Sequence, residues 1–226
     1  MWKNVINLFK KDNLYRQALQ QAYAMLDADW IMYEASVESL RQSDTGEIKV
    51  DIFAKDKEVN ARERDVRKKV LTHLALSGGA DLTSGLILVS VVIDIERIGD
   101  YTKNIYDLSQ QHPKRLHGGS LESPLQEVEA GVTRIFKDTI QAFKTSDEEM
   151  ARVIMADYKQ ELSIACDNIT NAVVSGKVTD LSSSDAAALA LYARYLKRIA
   201  AHSRNIISSV VNPFPRLRYE EKPQEQ

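Results

Sequence analysis

The chain has 226 residues, 44% of them hydrophobic and 27% charged, with a formal net charge of −2. That is enough for one large domain or two of about 100 residues, with the composition of a globular protein that buries a core. The slight acidic surplus argues against nucleic acid as the partner, since backbone-phosphate binding needs a basic surplus or stripe, and a single cysteine, Cys166, excludes an intrachain disulfide and fits a reducing cytoplasm.

Helical periodicity runs through nearly the whole chain. From Ala18 to Leu40, the residues Leu19, Ala22, Leu26, Trp30, Tyr33, Val37 and Leu40 recur at steps of three and four, which is one helical face. Met1 to Lys11, with Trp2, Val5, Ile6 and Phe9 on one side and Lys3, Lys10 and Lys11 flanking them, reads as the start of that first helix. Its alternative is a short contact with an anionic membrane or a transporter. A turn at Gly46 leads to a second helix from about Asp51 to Leu76, stopped by Ser77-Gly78-Gly79. A third runs from about Leu82 to Ser109.

Gln110 to Pro124, with Pro113, Gly118 and Gly119, reads as a linker. Three more helices follow, over about Leu125 to Phe143, Glu148 to Val174 and Ser184 to Val210. From Asn212 the proline- and charge-rich tail is expected to be loosely ordered. No segment reads as a strand, and no run of about 18 apolar residues could span a bilayer. The N-terminus lacks the pattern of a signal peptide, so a cytoplasmic protein is expected.

The third and sixth helices share a text. Asp94-Ile95-Glu96-Arg97-Ile98-Gly99-Asp100 with Asn104-Ile105 aligns with Tyr195-Leu196-Lys197-Arg198-Ile199-Ala200-Ala201 with Asn205-Ile206, every pair offset by 101. On the second and fifth helices the same offset carries Asp56 to Asp157 and Asn60 to Glu161. This indicates a tandem duplication of a three-helix unit. Three amphipathic helices can bury their stripes only against one another, which predicts one bundle per repeat. The reading is therefore all-α: repeat 1–112, linker 113–124, repeat 125–211 and tail 212–226.

The phrase Ile95-Glu96-Arg97-Ile98-Gly99-Asp100 with Asn104-Ile105 resembles the signature on the third helix of a PhoU repeat. Asp56-Lys57-Glu58-Val59-Asn60 is similar to that family's second-helix stretch. The resemblance covers about Leu19 to Val211. It implies two antiparallel three-helix bundles, a role in phosphate homeostasis at the inner face of the membrane, and partners among phosphate transporter components and the phosphate-sensing histidine kinase.

Glu96 and Asp100, at i and i+4, project from one helix face. Asp56, Asn60 and Glu63 do the same on the second helix. If the faces meet, four carboxylates and an amide converge, and their mutual repulsion calls for a cation. Oxygen donors suit hard ions such as magnesium, manganese, calcium or iron. The resemblance implies acidic surface sites for iron or other metals, zinc included, at the same positions. Against this stands the ordinary reading of a solvated face, with Arg62, Arg64 and Arg97 supplying ion pairs.

In the second repeat Lys197 replaces Glu96 and Ala201 replaces Asp100, so Lys197 is expected to sit among Asp157 and Glu161 in place of a metal. His202 is expected to pack or cap. No Glu-x-x-His pair, phosphate loop or nucleophile motif is present, and Cys166 reads as a small buried thiol. Catalysis is not expected. The function reading is a phosphate-uptake or phosphate-signalling regulator acting through protein contacts. Its alternative is a metal-binding or storage protein without a phosphate role. Bundles of this shape often form homodimers, and no feature of the sequence fixes the oligomeric state.

Overall fold

The computed structural model describes residues 14–77, 81–112 and 114–220; the amphipathic stretch Met1 to Lys11 lies outside them. The first repeat comprises α1 (Leu14–Gln42), α2 (Ile52–Leu76) and α3 (Leu82–Gln111). The second comprises α4 (Glu122–Thr145), α5 (Glu148–Asp157), α6 (Ser163–Val174) and α7 (Ser183–Val211). A π turn over Tyr158–Leu162 joins α5 to α6, so the single fifth helix expected from the sequence is one rod with a bulge. No strand is present among the described residues.

Local chemistry sets the ends of these helices. Asp51 caps α2 by accepting from the Ala54 amide, and Asp147 caps α5 through Met150. Ser182 caps α7 through the amide of Asp185. Ser146 ends α4 in the left-handed region, and Gly176, at φ +69°, closes α6. At Gly46 (φ +68°) a β-carbon would stand 2.9 Å from the Ser109 carbonyl oxygen, so the close approach of this turn to α3 requires glycine.

Each repeat buries its stripes internally, and the two then join through α1 with α4 and α3 with α7. Burial positions on α3 recur on α7 at an offset of 101, as in Ile98 and Ile199. On α1 and α4 the offset is 103, as in Tyr33 and Phe136. Contacts across the seam obey the same rule. Tyr33 packs edge-on against Phe136, its own counterpart, at 5.8 Å between ring centroids. The Tyr33 hydroxyl meets Thr133 at 3.0 Å, and the mate of that contact is Trp30 on Phe136 at 5.5 Å. On the other pair, Asp94 meets His202, and Tyr195 meets Tyr101. The repeats are thus related by a pseudo-twofold axis, and both α1–α4 and α3–α7 run antiparallel. Fully burying rings such as Tyr33 and Phe136 contributes about 1.5–3 kcal/mol each.

The segment between the repeats is anchored. Leu116 is buried, its amide donates to the Leu40 carbonyl at 2.8 Å, and Arg41 donates to its carbonyl oxygen. Arg41 also binds Glu129, at 2.7 Å, and Glu122. Residues 212–220, read from the sequence as a loosely ordered tail, turn through a 3-10 helix at Phe214–Arg216 and fold back over α7. Asn212 donates to the Tyr219 carbonyl, and Arg218 reaches Asp94 on α3 at 2.9 Å.

Candidate functional site

The five residues singled out from spacing lie on one seam between α2 and α3. None is exposed: Glu63 is buried, and Asp56, Asn60, Glu96 and Asp100 are partly covered. The two helices run antiparallel, so early α2 faces late α3 and Lys103 reaches across to Asp56 at 2.9 Å. The same ammonium lies 3.6 Å from Asp100, and Arg97 pairs with Asp100 at 2.8 Å. Glu63 pairs with Arg67 at 2.7 Å. Arg62 turns to Glu58 rather than to Asp56. In this arrangement no three carboxylate, imidazole or thiol groups among the described residues stand close enough to enclose a metal.

Glu96 is the least compensated of the five. Its nearest cation, Arg97, is 3.6 Å away. Burial first, then the charge of Asp100, raise its carboxyl above the usual range against the pull of Arg97, and Glu63 and Asp56 add to the rise.

A sixth acid lies beneath this seam. Asp29, on α1, is 0% exposed, and neither carboxylate oxygen has a hydrogen-bond partner. Burial, and then the charges of Glu96, Asp56 and Asp100, hold its carboxyl well above the usual range. It nestles against Gly99, where a β-carbon would come within 2.7 Å of Asp29 Oδ1 and 3.8 Å of Val59 Cγ1. Gly99 lies between Glu96 and Asp100 on α3, and Val59 lies between Asp56 and Glu63 on α2, so Asp29 sits at the level of all four. The signal was present in the sequence: Asp29 falls on the apolar face, three residues after Leu26 and four before Tyr33. Lys103, absent from the spacing pattern, lies three residues after Asp100.

The second repeat lacks this chemistry. Beyond the π turn the buried positions of α2 recur on α6 at an offset of 103, carrying Glu63 to Cys166 and Val66 to Ile169, rather than at the expected 101. The counterparts of Asp29, Glu63, Gly99 and Glu96 are therefore Val132, Cys166, Ala200 and Lys197. The expected placement of Lys197 among Asp157 and Glu161 is incorrect: Lys197 pairs with Asp167, because it faces the rod beyond the π turn. Asp157 pairs instead with Arg134 at 2.7 Å and, with Glu161, borders a cavity of about 450 Å³. The Cys166 thiol is buried, which pushes its pKa up to about 12.

His202 takes part in a seam network. Its Nδ1 lies 2.8 Å from Asp94, and Arg198 donates to its Nε2 at 3.1 Å, so the ring proton is on Nδ1. Asn205 and Arg218 also donate to Asp94.

Two three-helix repeats about a pseudo-twofold axis, one with a fully buried aspartate beneath an acidic seam and the other with Val132 in its place, define an all-α tandem-bundle protein. The model of the PhoU domain matches the chain twice, over residues 24–108 and 125–210, and the chain belongs to the PhoU family. Its fold is similar to PhoU from Pseudomonas aeruginosa, with a TM-score of 0.77 and 20% identity over 88% of this chain and 95% of that one. It is also similar to the phosphate transport system regulatory protein PhoU from Streptococcus pneumoniae, with a TM-score of 0.74 and 18% identity over 87% of this chain and 92% of that one. No curated protein matches the sequence. No helix among the described residues is long and apolar enough to cross a membrane.

Proposed function

We propose that this protein restrains phosphate uptake or phosphate signalling by binding, from the cytoplasmic side, a phosphate transporter component or a phosphate-sensing histidine kinase. The observation that carries this reading is the pair of PhoU domains spanning most of the chain. The name of the pneumococcal relative, a phosphate transport system regulatory protein, supports it. The fold suits such a role: the pseudo-twofold core is built from α1, α3, α4 and α7, which leaves a flank of α2 and of the α5–α6 rod free to meet a partner.

A hard cation on the acidic seam belongs to the same reading. The donors are all oxygens and two buried oxygens of Asp29 have no partner, which supports such an ion, while the ion pairs described above leave no three ligating groups among the described residues close enough to enclose it until they open. Asp56, Asn60, Glu63, Glu96 and Asp100 would hold it. Bound there, it would supply the positive charge that the clustered carboxylates lack and tie α2 to α3. Lys103 and Arg97 neutralise the outer acids in its place, so occupancy exchanges ion pairs for ligation and alters the face of the first repeat.

The reading is tested by capture of the tagged protein from crosslinked cells grown in high and in low phosphate, with partners identified by mass spectrometry. Recovery of a phosphate transporter subunit or a histidine kinase, varying with phosphate supply, is the expected result. Recovery of neither in both conditions would reject it.

A further inference from the structure

We infer that the tip of the first repeat, where α2 ends and α3 begins, docks on an anionic lipid surface. Leu71, Leu76, Leu82 and Leu86 enter the interface, and Arg64 and Lys68 lie against the headgroups. This goes beyond the transporter or kinase contact proposed above and stands without it.

The first reason is apolar exposure. Leu71 is 71% exposed, Leu76 79%, Leu82 52% and Leu86 38%, while Val66, Val70, Ile87 and Leu88 on the same helices are buried. Lys103 opposite Asp56, and Gly85 against Leu74 and Val70, fix the antiparallel register of α2 and α3. That register sets Leu86 level with Leu71, and Leu82 level with Leu76, so the four make one patch. An exposed apolar patch of this kind marks a binding surface.

The second reason is charge. The chain is acidic by two charges, yet residues 64–86 hold four cations, Arg64, Arg67, Lys68 and Lys69, against Asp65 and Asp81. Asp65 pairs with Lys69, Asp81 meets His73, and Arg67 pairs with Glu63. Arg64 and Lys68 are exposed and have no acidic partner among the described residues. Positions 64, 68, 71 and 75 share one helical face, so these two cations lead directly onto Leu71. Residues 1–16 add Lys3, Lys10, Lys11 and Arg16 against Asp12. The chain passes from them into α1 at the same tip, where Tyr15 meets His73 edge-on at 4.9 Å. Cations beside exposed apolar side chains suit an anionic bilayer surface. A second copy would bring the same positive tip against this one, and the lysine-rich first residues are repelled by it in the same way.

The third reason is the other repeat, which shows that the fold does not require the patch. By the offsets of 103 on α6 and 101 on α7, Arg64, Lys68, Leu71, Leu82 and Leu86 become Asp167, Asn171, Val174, Ser183 and Ala187. Of the apolar set, a large side chain remains only at Val174, and Asp167 is paired with Lys197. Because α3 and α7 run antiparallel, that tip points the opposite way. One end of the molecule is built for a surface and the other is not.

The test is co-sedimentation of the purified full-length protein with vesicles of phosphatidylcholine, with and without phosphatidylglycerol. The wild type should pellet with the phosphatidylglycerol vesicles alone and be released by salt. Arg64→Glu with Lys68→Glu should weaken binding at least about twentyfold, at about fivefold for each cation removed. Leu71→Ser with Leu86→Ser should weaken it about tenfold, and Val174→Ser on the other tip should leave it unchanged. All these positions are exposed, so unaltered thermal melting separates lost docking from lost folding. Deletion of residues 1–11 should weaken binding without abolishing it. Three results would overturn the inference: no binding to phosphatidylglycerol vesicles, wild-type affinity in both tip variants, or tighter binding after the deletion. Vesicles contain no protein, so failure here leaves the regulatory reading intact.

Discussion

Tyr101 and His202 stack across the seam between the repeats, with ring centroids 5.7 Å apart and planes 23° apart, and each is the other's counterpart at the repeat offset. The guanidinium of Arg198 lies over the same tyrosine ring at 5.4 Å. Next to this stack the symmetry breaks: Asp94 faces His202 where Tyr195 faces Tyr101. The tail exploits the asymmetry, since Arg218 closes on Asp94.

Asp94→Ala removes the acceptor shared by His202, Asn205 and Arg218. Stability to urea should fall by about 3 kcal/mol, the scale for breaking a buried charged network. Deleting residues 213–226 should cost less, because Arg218 is half exposed. Equal losses would show that the tail, rather than the seam, carries the network.

Arg41 joins α1 to the connecting segment and to α4 through Leu116, Glu122 and Glu129. Glu129 also accepts from the Tyr192 hydroxyl at 2.8 Å. Arg41→Ala would leave the partly buried Glu122 and Glu129 without their cation, and a loss of about 3 kcal/mol is expected in chemical unfolding. A loss under about 0.5 kcal/mol, typical of a surface change, would contradict this.

The buried acids give metal-free protein a particular pH dependence. Asp29 and Glu96 have folded pKa values raised above the ordinary carboxylate value of about 4. Between that value and the raised ones the folded state binds more protons than the unfolded state, so stability falls as pH rises. Melting temperature in chelator should therefore drop as pH rises from about 4 towards neutrality, within that carboxylate window. Asp29→Val should flatten the slope; an unchanged slope would mean that Asp29 does not titrate in this way.

Gly99→Ala places a β-carbon 2.7 Å from Asp29 Oδ1 and should destabilise by about 1–3 kcal/mol. Combining it with Asp29→Val reproduces the Val132 and Ala200 pair of the second repeat. The double variant should recover most of the loss. Simple additivity of the two changes would deny the complementarity of the pair.

Much of the architecture was legible because helix stripes, stop signals and the repeated text on α3 and α7 are all local or fixed in register. The π turn was not, since a single bulge leaves the apolar pattern of Glu148 to Val174 nearly intact, and the placement of Lys197 was lost with it. Asp29 escapes an i,i+4 pattern of acids because it stands alone on an apolar face and meets its neighbours only through tertiary packing. The same holds for Lys103, whose partner Asp56 lies on another helix, 47 residues away.

The role proposed for this protein is control of phosphate uptake. Its most direct test is the initial rate of labelled phosphate uptake, in phosphate-rich medium, by cells deleted for this gene and by the same cells carrying it on a plasmid. Raised, unrestrained uptake is expected in the deletion strain, with a return to the parental rate on complementation. Equal rates in parent, deletion and complemented strains would contradict it.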